Sequence, residues 1–188
     1  VVGASFSNNC RAVLHEAVDS KEGLRRLQRA KYVQSMVSQD VYYKIKKALV
    51  DGRRVLCAGT ACQVAGIRNY LGRLANSALF LSVDVICHGT PSPLLWKKWV
   101  DYRAAVAQAE IDEVNFRSKT TGWLSFSVLY CVRTEKDKKC ILGGRYIDDW
   151  YMRAFLNNAS LRSSCYNCPS KLSCGSDITL GDFWGFPA

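Results

Sequence analysis

Apolar residues in the first fifty positions recur at the spacing of strands and then at the spacing of helices. Residues 1–6 and 11–16 predict two strands joined by a turn. Asp19, followed by Glu22 three residues later, forms a capping-box pattern that predicts a first helix. A second helix is predicted from a cap at Asp40 to Gly52, with one apolar face made of Val41, Ile45 and Leu49.

The middle of the chain has the pattern of a parallel strand pair. Residues 54–58 form a short apolar run, a helix is predicted over 63–71, and a second apolar run covers 79–87. A strand, a helix and a strand in this order are typical of two parallel strands with a crossover connection.

The second half of the chain changes towards strands with polar turns. We predict a long helix over 94–108, strands at 114–117, 124–133 and 140–142 around a charged turn at 135–139, a helix at 148–156 and a strand-like end at 177–184. The predicted fold class is therefore α/β (mixed α+β), with a parallel strand–helix–strand core, an added antiparallel hairpin and a cysteine-rich C-terminal segment.

The composition is that of one globular domain, because 48% of the 188 residues are apolar and 22% are charged. We predict a single domain over 1–188. No apolar run reaches the roughly 20 residues that cross a bilayer, and no signal peptide is recognised. We therefore expect no membrane span and a cytoplasmic location. The chain starts without Met, inside a predicted strand, which suggests a fragment that lacks an upstream segment.

The net charge of +10 indicates an anionic partner, such as an acidic protein or a phosphorylated cofactor. The basic residues occur in scattered pairs, and no run of them is long enough for a nucleic-acid arm. Nucleic acid is therefore not a predicted partner.

Nine cysteines are the compositional anomaly, and the clearest pattern among them is Cys165-Tyr-Asn-Cys168-Pro. A two-residue gap lets both sulfurs reach one metal centre, and such pairs followed by Pro are common around iron–sulfur ligands. The pair supplies half of a site, so Cys174, Cys62 and Cys87 are candidates for the rest. A structural zinc site is the alternative interpretation.

Two further motifs follow the predicted parallel strands. The turn Gly59-Thr-Ala-Cys62 leads into a helix, whose N-terminus favours a phosphate, a flavin oxygen or a thiolate. A tight turn with a buried Cys explains it equally well. Cys87-His88 ends the next strand, and ligands of α/β sheets gather at such ends. His88 fits a ligand, a proton relay or a buried hydrogen-bonding residue.

A basic motif lies further along the chain. Arg117 and Lys119, with Gly122 and Trp123, suit a phosphate and a stacked ring, although a charged hairpin rim is the simpler interpretation. Cys57 and Cys131 are interpreted as ordinary buried cysteines, and His15 as structural or exposed.

Six motifs in order resemble the coenzyme F420 hydrogenase/dehydrogenase beta-subunit family, which is related to 7-hydroxymethyl chlorophyll a reductase. They are KYVQS (31–35), GTACQVAG (59–66), DVICHGTPSP (84–93), FRSKTTGW (116–123), SCYNC (164–168) and SDITLGDFWG (176–185). Two positions depart from the family pattern: Ala61 stands where Pro is usual, and Cys174 where a basic or polar residue is expected.

The resemblance implies an oxidoreductase that carries FAD and a 4Fe-4S cluster, with coenzyme F420 as a candidate substrate and a ferredoxin-like donor or upstream segment as the source of electrons. By motif position, the cluster ligands are Cys62, Cys87, Cys165 and Cys168. On this hypothesis Gly59, Thr60 and Gln63 contact flavin or cluster sulfurs, Arg117 and Lys119 hold a phosphate, and His88 donates a proton. The rival hypothesis is a non-catalytic, zinc-stabilised binding module with a basic surface.

Overall fold

The computed structural model describes residues 1–133 and 138–182, without the side chains of 138 and 142. Its strands are β1 (Val2–Phe6), β2 (Val13–Ala17), β3 (Ser35–Met36), β4 (Val55–Thr60), β5 (Phe80–Val85), β6 (Glu110–Ser118), β7 (Ser127–Arg133), β8 (Lys138–Arg145) and β9 (Ile178–Leu180). Its helices are α1 (Lys21–Leu27), α2 (Gln39–Val50), α3 (Ala61–Leu71), α4 (Pro93–Ala107), α5 (Trp150–Leu156) and α6 (Ser163–Tyr166).

The larger sheet has six strands in the order β3-β2-β1-β4-β5-β9. β1 and β2 pair antiparallel, whereas β1–β4, β4–β5 and β5–β9 pair parallel. α3 connects β4 to β5, which confirms the predicted strand–helix–strand unit. None of the described helices combines the length and the hydropathy that crossing a bilayer requires.

The smaller sheet is antiparallel, in the order β6-β7-β8, and confirms the added hairpin. Residues 135–137 of the predicted charged turn lie outside the described residues, as do 183 and 184 of the predicted terminal strand. The mixed α/β fold class is confirmed.

Two apolar clusters hold these layers together. One contains Val2, Cys57 and Phe80 of the larger sheet with Val41, Ile45 and Leu49, the predicted apolar face of α2. The other joins both sheets through aromatic side chains, because Val13 of β2 and Phe116 of β6 share it with Trp96, Trp99 and Tyr151. The helices α4 and α5 therefore link the two sheets.

The starts of two helices differ from the prediction. Ser20, not Asp19, caps α1, and its Oγ accepts the N–H of Gly23 at 3.1 Å. Asp40 is not a cap: it lies in the first turn of α2, which begins after Ser38, and pairs with Lys44 at 2.6 Å. In both cases a serine within two residues of the acidic residue occupies the flanking position, which sequence pattern alone does not distinguish.

One cysteine prediction is wrong. Cys131 is buried, but it is not a free cysteine: it lies opposite Cys140 in the β7–β8 ladder, and the two form a disulfide. The hairpin register brings this pair together. Cys57 is a buried free thiol, as predicted, and burial raises its pKa to about 12.

Candidate functional site

The candidate site lies where β4 and β5 end side by side, since Thr60 pairs with Val85 in the last register position. α3 begins directly after β4 and carries Cys62 in its first turn. Cys87 follows two residues after the end of β5. The parallel register therefore brings Cys62 and Cys87 to one edge of the sheet. We name this region the cysteine edge, and it also includes Cys165 and Cys168, which reach it from the C-terminal part of the chain.

The second cysteine pair reaches this edge through a short pairing of loops. Pro91 and Leu161 form an antiparallel bridge, Ser92 N donates to Ser160 O at 2.8 Å, and Arg162 N donates to Thr90 O at 2.9 Å. α6, which contains Cys165, begins immediately after this pairing. The loop after β5 and the cysteine-rich segment are thereby held together.

Two backbone N–H groups point at sulfur atoms of this group. Thr90 N donates to Cys165 Sγ at 3.4 Å, and Gly89 N–H donates to Cys87 Sγ. Hydrogen bonds of this kind favour the thiolate form, and they are a recognised feature of sulfur ligands in metal clusters.

The pKa of the Cys87 thiol is affected by each of the other three cysteines of this edge. Burial raises the pKa of its thiol, the Gly89 N–H opposes this, and the neighbouring side chains of Cys62, Cys165 and Cys168 raise the pKa further. Each of these three cysteines therefore lies close enough to Cys87 to act on its thiol. Cys174 is half-buried and is not among the described groups that act on Cys87.

Among residues 1–133 and 138–182, no group of three or more His, Cys, Asp or Glu side chains is arranged so that it could hold a metal ion.

The turn before α3 is held by the side-chain amide of Gln63. Its Oε1 accepts from Thr60 N and from Thr60 Oγ1, both at 3.0 Å. Its Nε2 donates to Ser35 O at 3.0 Å and to Ser35 Oγ at 2.8 Å. All four hydrogen-bonding positions of the amide are therefore used within the protein. The direct flavin contact predicted for Gln63 stays a prediction, and it requires the exchange of one of these partners.

Gly59 allows the close approach on which this turn depends. A Cβ at this position would lie 3.3 Å from Gln63 Cβ and Oε1 and 3.4 Å from His15 Nε2. Beside it, Thr60 Oγ1 lies 3.4 Å from Cys62 Sγ. The turn therefore connects β2, β3 and the first cysteine of the edge.

His15 belongs to this turn, although its sequence context suggested no role. It is 4% exposed, and Nε2 lies 3.2 Å from Ala58 O, which can only accept. Nδ1 is buried without a hydrogen-bond partner among the described residues. Burial lowers the pKa of His15, so the neutral ring with hydrogen on Nε2 is the favoured form.

The predicted phosphate-binding residues lie at the end of β6. Arg117 already pairs with Asp182, and its guanidinium lies 5.2 Å from the ring centre of Phe126 and 5.8 Å from that of Trp123. Lys119 Nζ lies 3.3 Å from the centre of the Trp123 ring, which is half exposed. Arg117 and Lys119 thus share an aromatic neighbour, as their spacing suggested.

His88 is exposed, and its ring packs edge-on against Phe155 with centroids 4.9 Å apart. It is therefore accessible to a substrate but is not the buried hydrogen-bonding residue that one interpretation of the sequence considered.

Sequence reasoning missed three residues of this region: Tyr32, Ser35 and Asp182. Tyr32 hydrogen-bonds Arg117, Ser35 holds Gln63, and Asp182 pairs with Arg117. The available indication was their position, because all three lie in the motifs at 31–35 and 176–185. The motif at 31–35 therefore connects the basic group (Arg117 and Lys119) to the turn before α3, through Tyr32 and Ser35.

Residues 52–187 match the family model that describes the C-terminal part of the coenzyme F420 hydrogenase/dehydrogenase beta subunit. The chain belongs to this family. The curated proteins contain no significant match to the chain.

A solved structure with a similar fold comes from the xenon-derivatised F420-reducing NiFe hydrogenase complex of Methanosarcina barkeri. The TM-score is 0.52 at 14% identity, over 96% of this chain and 57% of that chain. Our chain thus spans little more than half the length of that relative. At this identity the likeness shows a shared fold.

Proposed function

We propose that this domain is an iron–sulfur flavoprotein oxidoreductase subunit that passes electrons between a 4Fe-4S cluster, FAD and a hydride-accepting substrate such as a deazaflavin coenzyme. The observation that carries the proposal is the cysteine edge, where Cys62, Cys165 and Cys168 lie close enough to Cys87 to act on its thiol, and where the sulfurs of Cys87 and Cys165 accept backbone N–H groups. Membership in an oxidoreductase family agrees with it.

Cys62, Cys87, Cys165 and Cys168 are the proposed cluster ligands. A 4Fe-4S cluster takes four cysteine thiolates, and the donor set at this edge has that number and type. These four residues would hold the cluster as thiolates, each giving up its thiol proton on binding iron.

The proposed flavin contacts are the backbone of Gly59 and Thr60 and the basic group at the end of β6. Lys119 and the half-exposed Trp123 ring offer a cation and a stacking surface for an anionic aromatic cofactor. Arg117 pairs with Asp182, so a phosphate at this guanidinium would replace the carboxylate. When bound, the cluster supplies single electrons and the flavin couples them to hydride chemistry.

We assign proton donation to an exposed residue of this chain and electron donation to a partner. His88 is the proposed proton donor, because it is accessible beside Cys87. Cys62 is exposed, so a ferredoxin-like donor or an upstream segment could approach the cluster from its side. The net charge of +10 favours an acidic donor and an anionic substrate.

Anaerobic reconstitution with iron, sulfide and FAD tests the proposal. The wild-type protein should bind about four iron atoms and four sulfides, as a 4Fe-4S cluster requires, with a broad absorption in the visible range. Cys165→Ser and Cys168→Ser should each abolish iron uptake. Cys174→Ser is the matched control, since this cysteine lies six residues beyond Cys168 and should leave iron uptake unchanged.

Two outcomes would contradict the assignment. Full iron uptake by both Cys165→Ser and Cys168→Ser would show that the ligand set is wrong. A colourless protein with one tightly bound zinc ion and no flavin would favour the zinc-stabilised binding module instead.

A further inference from the structure

The hydroxyl of Thr60 lies between two acceptors, one on Gln63 and one on Cys62. Thr60 Oγ1 is 3.0 Å from Gln63 Oε1 and 3.4 Å from Cys62 Sγ. A hydroxyl has one hydrogen, so it can donate to only one of them at a time. Which acceptor receives this hydrogen depends on the state of the sulfur.

The orientation of the Gln63 amide is determined by backbone groups. Thr60 N–H can only donate, so the atom facing it is Oε1, and Ser35 O can only accept, so the atom facing it is Nε2. Oε1 therefore always accepts the Thr60 backbone N–H. If the Thr60 hydroxyl turns away, Oε1 keeps this partner, and the turn retains its anchor to β3.

The protonation or ligation of Cys62 Sγ determines which acceptor receives the hydroxyl hydrogen of Thr60. A thiol at Cys62 can donate its own hydrogen to Thr60 Oγ1, which leaves the hydroxyl hydrogen on Gln63 Oε1. A metal-bound thiolate has no hydrogen and is a charged acceptor, and hydrogen bonds to charged acceptors are stronger than those between neutral groups. Ligation at Cys62 therefore favours donation from Thr60 to Sγ.

We propose that Thr60 is a positioning residue that raises the reduction potential of the cluster by donating its hydroxyl hydrogen to Cys62 Sγ, while Gln63 and Ser35 hold it in place. The inference rests on the proposed function. A reduced cluster carries one more negative charge than an oxidised one, so a donor at a ligand sulfur stabilises the reduced form more. Hydrogen bonds to the sulfurs are among the factors that set cluster potentials.

The test compares Thr60→Val, which keeps the shape of the side chain without the hydroxyl, with Thr60→Ser, which keeps the hydroxyl. Each is reconstituted anaerobically in the full chain, and the midpoint potential is measured by titration monitored with electron paramagnetic resonance. Thr60→Val should have a lower potential than the wild type, and Thr60→Ser should restore it. The iron–cysteine stretching frequency in resonance Raman spectra should rise in Thr60→Val, because the hydrogen bond that weakens the iron–sulfur bond is lost.

The outcomes separate this inference from the proposed function. Wild-type protein that binds no iron would overturn the proposed function and this inference with it. Equal potentials in wild type and Thr60→Val, with complete clusters in both, would overturn the inference alone. A Thr60→Val protein that takes up no iron while Thr60→Ser does would show a role in assembly, and would also overturn it.

Discussion

The aromatic core and the cysteine edge differ in the partners of their polar and titratable side chains. In the core, the carboxylate of Asp149 accepts Trp99 Nε1 at 2.8 Å, Arg103 Nη2 at 2.9 Å and Met152 N at 3.0 Å. Its neighbour Tyr151 donates to Tyr32 O at 2.6 Å. These polar groups hydrogen-bond one another, which offsets part of the cost of burying them, although Arg103 Nε has no partner among the described residues.

At the cysteine edge, the described structure gathers titratable thiols. Cys62, Cys165 and Cys168 raise the pKa of the Cys87 thiol, and Cys62 is exposed. Ile86 beside them is 74% exposed. The core therefore contributes the stability of the fold, whereas the cysteine edge keeps an arrangement of thiols that stability alone does not favour. Three substitutions test this difference.

The largest effect on stability is expected for Asp149→Ala. The Asp149 side chain is fully buried, and its removal leaves the Arg103 guanidinium, which is 16% exposed, without its carboxylate. Breaking a buried ion pair in this way costs about 3–5 kcal/mol of the free energy of unfolding. Urea denaturation of the metal-free protein measures it. Asp148→Ala is the matched control: Asp148 is exposed and pairs with exposed Arg145 at 3.0 Å, so the loss should stay below about 1 kcal/mol.

His15→Gln should change how stability depends on pH. The pKa of His15 is lowered in the folded state, so the unfolded state binds more protons just below pH 6.5. The stability that the neutral ring allows is complete above pH 6.5 and is lost as the pH falls below it, at up to about 1.4 kcal/mol per pH unit. Gln can still donate to Ala58 O but does not titrate.

Urea denaturation at pH 7 and pH 5 measures this difference. The wild type should lose more stability than His15→Gln between the two values. Identical losses would show that the ring at position 15 is not held neutral.

Cys87→Ser should have the smallest effect on stability. The substitution replaces a half-buried thiol by a hydroxyl that can still accept the Gly89 N–H, so the free energy of unfolding of the metal-free protein should change by less than about 1 kcal/mol. Iron uptake should nevertheless be lost. A large destabilisation together with normal iron content would reverse the comparison and place Cys87 in the core rather than in the site.

The parts of the fold that the sequence predicted are those that depend on residues close to one another along the chain. The apolar face of α2 follows from helical spacing, and Val41, Ile45 and Leu49 are buried as expected. The unit β4–α3–β5 follows from two apolar runs around a helix. The rule that parallel strands end at one edge then placed Cys62 and Cys87 together.

The parts that sequence did not predict depend on partners far along the chain. The saturated amide of Gln63 needs Ser35, which lies 28 residues earlier, and Arg117 needs Asp182, which lies 65 residues later. The disulfide between Cys131 and Cys140 depends on the hairpin register. His15 lies in a strand of mixed polarity, and only the packing against Gly59 shows that it is buried.

The loop pairing that joins residues 90–92 to 160–162 also has a consequence for protein synthesis. Cys165 follows Cys87 by 78 residues, so at about 5–20 residues per second it leaves the ribosome roughly 4–16 s later. Throughout that interval the nascent chain has made only half of the proposed ligand set. Assembly of the proposed cluster on all four ligands would therefore come only after translation has passed Cys168.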